Sequence, residues 1–449
     1  MKRLLFAVFL TGCASTAPHP GTSDAPAKPW TPPANVVPPP VPVVAKTDLP
    51  ATYTPGMAIS LAQVIDIALS NNPDTRIAWL QARAAEADLG SAKSEYLPQI
   101  DLNASVVHSR GNGLTYGPSL ALSYLLFDFG GREAFVEEAR QALIAADFLH
   151  NQAIQDVIFQ TQQAYYGYLD AKALLAAQEA TIKERRTSLD AAEARHRAGI
   201  ATIADVLQAR TALSQATLNR DTIEGNLRTI EGLLATTMGL PATTRFDFGE
   251  LPLEIPARQV TETVDALIAR AVEQRPDLAA SRARAEQARA RVQEVRAQGL
   301  PTISVASSVG YTRIGTRDSN TPYSAGVSLR FPLFTGFRNT YDIRAAEARA
   351  QVAGENVRAL EQDVNLQVWT SYYALQTATT RLATARDLLA SAQQSADVAA
   401  DRYKAGVGSI LDLLTAESAL ESARAQEVQA RTDWFVAVAQ LAHDTGSLK

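Results

Sequence analysis

A single cysteine, Cys13, stands in 449 residues, so no internal disulfide can staple the fold. No apolar run reaches the roughly 18 residues of a membrane-spanning helix, so any place in a membrane must come from strands or from a lipid. The charges are interspersed and sum to −5, which leaves no basic footprint for nucleic acid. Catalytic signatures are missing as well: there is no His-Glu-x-x-His, no P-loop and no Gly-x-Ser-x-Gly. The five histidines, His19, His108, His150, His196 and His443, are scattered, and Gly111-Asn112-Gly113 reads as a turn. No metal, cofactor or enzymatic activity is expected. Proline is absent from Arg132 to Leu240 and again beyond Pro332, and Gly167 is the one glycine between Arg132 and Gly199. Helix breakers are thus withheld from stretches far longer than a globular helix.

Proline is instead concentrated near the start, with twelve between Pro18 and Pro55. That stretch has little to bury and reads as an extended tether over 13–57. Before it, Lys2-Arg3 and the apolar Leu4–Leu10 have the shape of a secretory signal over 1–12. Leu10-Thr11-Gly12-Cys13 resembles a bacterial lipobox, in which the cysteine is lipidated and becomes the new N-terminus. The bland reading is a small buried Cys in an ordinary signal peptide. Ala14 resembles outer-membrane sorting. Removal of residues 1–12 takes Lys2 and Arg3 away, so −5 becomes −7.

The remainder is duplicated. Residues 195–207 (Arg-His-Arg-Ala-Gly-Ile-Ala-Thr-Ile-Ala-Asp-Val-Leu) match 402–414 (Arg-Tyr-Lys-Ala-Gly-Val-Gly-Ser-Ile-Leu-Asp-Leu-Leu) at an offset of 207. Tyr165-Tyr166 matches Tyr372-Tyr373 at that offset, and Leu97-Pro98 matches Leu300-Pro301 at 203. The repeats are read as 58–240 and 261–449, joined by a connector over 241–260. In each tip a glycine takes the left-handed position past a helix end. Thr202 or Ser409 caps the returning helix, with Asp205 or Asp412 in its positive first turn.

Within each repeat the period changes. Two helices, broken at Asn72-Pro73 or Arg275-Pro276, give way to alternation: Ile100, Leu102, Ala104 and Val106 against Asp101, Asn103 and Ser105. Leu120, Leu122, Tyr124 and Leu126 continue it, making a hairpin over about 100–127. Ile303, Val305, Ser307 and Val309, then Ala325, Val327 and Leu329, make the second over about 301–334, with 313–322 as its turn. Strands near ten residues, apolar on one face only, suit a transmembrane barrel wall. Tyr96, Tyr116, Phe127 and Phe129 fit an interfacial girdle. The alternative is a soluble flap on the helices. Long helical hairpins follow over about 132–238 and 338–444. A helix of such length, roughly 100 Å, must lie against neighbours throughout, as in a coiled coil. Four strands cannot close a barrel, and an open edge is not tolerated in lipid, so two or three copies are required.

With these residues the chain resembles the TolC-type outer-membrane efflux proteins. The duplicated tips, paired hairpins, Leu-Phe strand-to-helix junctions and lipobox carry the resemblance over 58–446. It implies an α+β fold: a long-helix coiled-coil barrel in the periplasm and four strands per chain in a trimeric twelve-strand β-barrel in the outer membrane. It implies passive conduction with a periplasmic adaptor and an inner-membrane pump as partners. It implies a periplasmic gate at Asp205, Asp412 and Tyr403, and adaptor-contacting tips at Arg197, Ala198, Gly199, Lys404, Ala405 and Gly406. The chain departs from the pattern at Thr415, where some members have a second aspartate, and at Gly408, where some have a basic lock residue. The carboxylates Asp205 and Asp412 have a plainer role as helix starts, compatible with a gate. Two alternatives stand beside the efflux duct: a type I protein-secretion duct, and a non-conducting coiled-coil scaffold.

Overall fold

Two pairs of helices repeat to the residue. In a computed structural model that describes residues 59–110, 113–246, 248–252, 262–314 and 318–448, α3 (Gly131–Arg197) and α7 (Arg338–Lys404) each have 67 residues. The returning helices α4 (Ile203–Thr237) and α8 (Ile410–Asp444) each have 35. At 1.5 Å per residue the long members span about 100 Å. Short pairs precede them: α1 (Leu61–Asn71) and α2 (Pro73–Lys93), then α5 (Val264–Gln274) and α6 (Pro276–Ala297). Proline at the first position of α2 and α6 holds the preceding Asn72 and Arg275 extended, at ψ 129° and 124°, which breaks each pair at the same place. No helix among the described residues is long and apolar enough to cross a membrane.

Each break is also a joint. The Asn72 amide donates to the carbonyl of Thr237 at 3.0 Å, near the end of α4. In the second repeat the buried Arg275 donates to the carbonyl of Asp444 at 3.3 Å, at the end of α8, and is held by Asp277 at 2.6 Å. Gly239 and Gly446 follow in the left-handed region, at φ 73° and 69°. A Cβ on Gly239 would lie 2.4 Å from the Asn71 carbonyl oxygen, so the chain passes too close there for any other residue.

The connector does more than join the repeats. Phe246, Phe248 and Leu251 are buried against Tyr165, Tyr168 and Leu169 of α3, and Ile59 forms a parallel bridge with Phe248. The Phe248 ring meets Tyr168 edge-on at 4.8 Å, and Lys172 donates to the Phe248 carbonyl at 2.8 Å. Its three prolines, Pro241, Pro252 and Pro256, suit a connector with a little extended structure. Its alternating Phe246 and Phe248 are the signal that it also carries core.

The strands form one antiparallel sheet. β1 (Gln99–Ser109) pairs with β2 (Gly113–Phe127), β2 with β3 (Thr302–Gly310), and β3 with β6 (Tyr323–Arg330). The 313–322 turn is corrected by two short paired strands, β4 (Thr312–Ile314) and β5 (Asp318–Asn320), which carry the second hairpin past Tyr311. The six segments are therefore four long strands, two of them interrupted once each. Register places Ile100, Leu102, Leu120, Leu122, Val305, Val309, Val327 and Leu329 on one face. Asp101, Asn103, Ser119, Ser123, Ser304, Ser308, Ser324 and Ser328 share the other, where Ser304–Ser328 and Ser308–Ser324 hydroxyls hydrogen bond at 2.7 and 2.9 Å. β1 and β6 are the two edges.

The repeats meet through α3, which packs on α2, α4, α6 and α8; α7 packs on α5, α6 and α8. Near the end of α8, His443 donates to the Asp156 carboxylate of α3 at 2.8 Å and to the Asp444 carboxylate at 3.2 Å, with its ring stacked on Phe159. Burial opposes its charge, but the hydrogen bonds and charges of Asp156 and Asp444 outweigh that and raise its pKa to about 9. A raised pKa stabilises fully below the unfolded value near 6.5 and is lost as pH rises through about 9. The pH-dependent part of the loss in His443→Ala is therefore expected to be about 2–3 kcal/mol at pH 6 and little at pH 10 in unfolding measurements, over a pH-independent loss of the ring's packing on Phe159. The sheet gives a second prediction. A Cβ at Gly117 would lie 1.7 Å from the Tyr311 carbonyl oxygen, whereas nothing lies within 4 Å of one at Gly326. Gly117→Ala should lower the thermal transition of the folded species well beyond Gly326→Ala, read by heat-modifiable gel mobility.

Candidate functional site

The two helical turns at the end of the long hairpins share one construction. Gly199 and Gly406 lie at φ 76° and 81°. The amides of Ile200 and Val407 donate back to the carbonyls of Arg195 and Arg402, both at 3.0 Å, so the last turns are closed by their own backbone. Thr202 and Ser409 then open the next helices with reciprocal capping boxes. Asp205 N–H donates to Thr202 Oγ1 at 3.3 Å, and Thr202 N–H to the Asp205 carboxylate at 3.0 Å. Asp412 N–H donates to Ser409 Oγ at 3.1 Å, and Ser409 N–H to the Asp412 carboxylate at 3.3 Å. Ser409's side-chain and backbone bonds, helped by Arg402, hold the exposed Asp412 carboxyl below the usual carboxylate range.

The tips are tied to each other. Tyr403 is 3% exposed and packs with Ala192, Val206, Ala209, Ile410 and Leu413 in a small core drawn from all four helices. The Arg195 guanidinium lies 4.7 Å from the Tyr403 ring and donates to the Tyr403 carbonyl. Burial raises the Tyr403 phenol pKa and Asp205 adds to that, while Arg195 opposes it. Arg195, Tyr403 and Asp205 are thus brought together. Asp412 stands apart from them, exposed beside its own cap. Arg197, Ala198, Gly199, Lys404, Ala405 and Gly406 are all exposed at the turns.

Above the tips a polar seam joins α3 to α8. Arg185, 3% exposed, pairs with Glu417 at 2.8 Å and donates to Ser418 at 2.8 Å. Ser188 donates to Glu417 at 2.5 Å. Burial raises the Glu417 pKa, and nearby Glu184 adds to it, while Ser188 and Arg185 oppose it. Arg424 of α8 grips Glu184 with two bonds, at 2.8 and 2.7 Å. Gln178 and Asn219 both donate to Glu421, at 3.1 and 3.2 Å.

The sequence matches the family described as "Outer membrane efflux protein" over residues 64–240 and 267–447, one match for each repeat. The chain belongs to the outer membrane efflux protein family. It is 30% identical over 384 residues to Protein CyaE of Bordetella pertussis, covering 82% of this chain and 80% of that protein. It is 24% identical over 417 residues to Outer membrane protein TolC of Escherichia coli, covering 88% and 84%. Among solved structures, the outer-membrane channel OprN superposes with a TM-score of 0.77 at 21% identity, over 86% of this chain and 90% of that one. This family member is accordingly an outer-membrane efflux protein.

Cys13 lies outside the described residues. Arg195 was missed as a site residue, although it opens the first tip motif. The signal lay in the mismatch between the two motifs: Arg195 and Arg402 correspond, but His196 stands where Tyr403 offers a ring. The seam was equally hidden, because Arg185 and Glu417 are 232 residues apart. A buried pair that loses one member leaves an uncompensated charge, at about 3–5 kcal/mol. Arg185→Ala should cost that much in unfolding measurements. A double-mutant cycle with Glu417→Gln should show strong coupling, since both changes strike one contact.

Proposed function

We propose that three copies of this chain close head to tail into an exit duct across the outer membrane, with the long helices as a tunnel in the periplasm. The observation that carries this is the sheet: a mostly apolar face over four long strands, with β1 and β6 unpaired at its edges among the described residues. Hydrocarbon supplies no partner for those backbone groups, so β1 of one copy must meet β6 of the next. Three copies supply the twelve long strands that the family resemblance implies.

The helices support the same closure. α3 is covered by α8, whereas its counterpart α7 leaves Leu366, Trp369 and Tyr373 exposed. On α4, the counterpart of α8, Leu207, Leu218 and Leu233 are exposed. Pairing α7 of one copy with α4 of the next would repeat between chains the contact that α3 makes with α8 within one. Such a heterologous contact closes into a ring when its rotation permits.

In that ring the tips form the periplasmic entrance. Asp205 and Asp412 would place carboxylates around the mouth and favour cations there. Tyr403, with Arg195 across its ring, would hold neighbouring hairpins closed. The exposed turns at Arg197–Gly199 and Lys404–Gly406 would meet a helical-hairpin adaptor that links the duct to an inner-membrane pump. Cys13 would carry a lipid, palmitate among its chains, on the Pro-rich tether.

Conductance in planar bilayers, with the oligomer mass taken on the same sample, tests the reading. Discrete channels from a trimer are expected; a soluble species that never conducts would sink it. The pump that copurifies separates small-molecule efflux from the protein-secretion alternative, because both would use this wall. Asp205→Ala with Asp412→Ala should raise single-channel conductance and weaken cation preference, and unchanged currents would remove both from the gate. Arg195→Gln should raise the open fraction without changing ion preference.

A further inference from the structure

The two strand-to-helix junctions are copies of one turn but are charged differently: the second keeps Arg338 beside its turn, and the first carries carboxylates as well as an arginine. In the first, Phe129 and Gly130 lie at φ 53° and 88°; in the second, Gly336 and Phe337 lie at 62° and 64°. The same left-handed pair is built twice, with glycine and phenylalanine exchanged. Around the first stand Glu95, Asp128 and Arg132. The corresponding residues of the second are Gln298, Thr335 and Asn339. The turn therefore forms without any of the three charges. Charged groups at the rim of an apolar wall are costly unless something matches them.

Arg132 is positioned with care that the turn does not need. Its guanidinium lies 5.3 Å from the Tyr96 ring and 5.9 Å from the Tyr124 ring. It donates to the carbonyls of Glu95 at 3.3 Å and Leu126 at 3.1 Å. Its side chain is 12% exposed, yet its Nε is buried without an acceptor, 3.7 Å from the Asp128 carboxylate. That carboxylate also accepts from the Arg132 backbone N–H at 2.6 Å. Beside them opens a cavity of about 320 Å³, with Glu95, Asp128, Arg132, Glu294, Gln298 and Thr302 among its polar lining and Leu125 and Phe135 among its apolar lining; Gln298 donates to Glu294 at 3.2 Å. That is room for a group several times the ~30 Å³ share of one water. Phe127 and Phe129 stand exposed close by.

We propose that this cavity binds the headgroup of a phospholipid carrying a primary ammonium, a site that rests on the sheet being a membrane wall. With Arg291 counted on Glu294, three carboxylates face two guanidiniums, a net −1 that suits a group with a cationic end and leaves Arg132 for its phosphate. The ammonium's three N–H donors go to Glu95 and Asp128, with Glu294, already paired with Arg291, as the lesser partner. The phosphate sits on the Arg132 side of the cavity, against the guanidinium. The acyl chains run past Phe127 and Phe129 onto the apolar strand face. A choline headgroup has the same charge but no N–H to give, and a glycerol headgroup has no cation. The second junction has Gln298 and Thr335 in place of Glu95 and Asp128 and so offers the ammonium no such carboxylates; each protomer holds one such lipid.

The test uses the full-length oligomer in nonionic detergent, loaded with phosphatidylethanolamine, phosphatidylcholine or phosphatidylglycerol of identical chains, with retained lipid counted by native mass spectrometry. One phosphatidylethanolamine per protomer is expected, preferred roughly tenfold, the worth of one charge-assisted hydrogen bond. O-phosphoethanolamine should displace it and O-phosphocholine should not. Glu95→Gln should lose most of the preference over phosphatidylcholine, and Arg132→Gln should weaken retention of all three lipids. If Arg132→Gln fails to assemble, Glu95→Gln at an exposed position still decides. Equal retention of the three lipids, or a preference untouched by Glu95→Gln, overturns the site. If such a preparation still conducts, the duct stands without it.

Discussion

The contact between α3 and the second repeat is the constraint on which the rest depends. A helix of 67 residues cannot be stable in water through its own propensity; it needs an apolar stripe covered along its length. α3 is the one long helix whose neighbours within the chain cover it on both sides, with α2 and α6 near the sheet and α8 and α4 near the tips. The Arg185–Glu417 pair and the Gln178–Glu421 bond fix how α8 lies along it. Apolar alanine-rich faces can slide by a turn; buried hydrogen-bonded charges cannot, without losing a partner.

From that contact the shape of the whole wall follows. α6 reaches α3 near the sheet, so β3, which follows α6, comes down beside β2, which precedes α3. The two hairpins therefore join into one sheet through β2 and β3, and β1 and β6 are left outside. The same reasoning leaves α7 and α4 outside in the helical layer. A protomer is a strip of wall with unlike edges, and such a strip reaches closure only through copies of itself.

The duplication also shows where structure and function part. Where both repeats keep a feature, such as the left-handed glycines at the tips or the extended residue before Pro73 and Pro276, the backbone demands it. Where they differ, the fold does not. Tyr403 against His196, and Asp128 and Arg132 against Thr335 and Asn339, are differences of that second kind. Each falls at an end of the long hairpins: one at the candidate entrance, one at the rim of the strand wall.

Much of the fold was legible in the sequence because it is local. Helix lengths follow from where proline and glycine are withheld, the tip turns from glycine and the Thr202 and Ser409 caps, the strand faces from a period of two. The candidate gate carboxylates were legible for the same reason, as caps. What only the tertiary structure decided is which distant residues meet: Arg195 with Tyr403, Arg185 with Glu417, the connector's Phe248 with Tyr168. The strand pairs β4 and β5 belong to this group too, since their short pairing extends from contact with β2. Periodicity tells which face of an element is apolar, but not which element covers it. That choice is made by packing between residues some two hundred positions apart, and no local pattern records it.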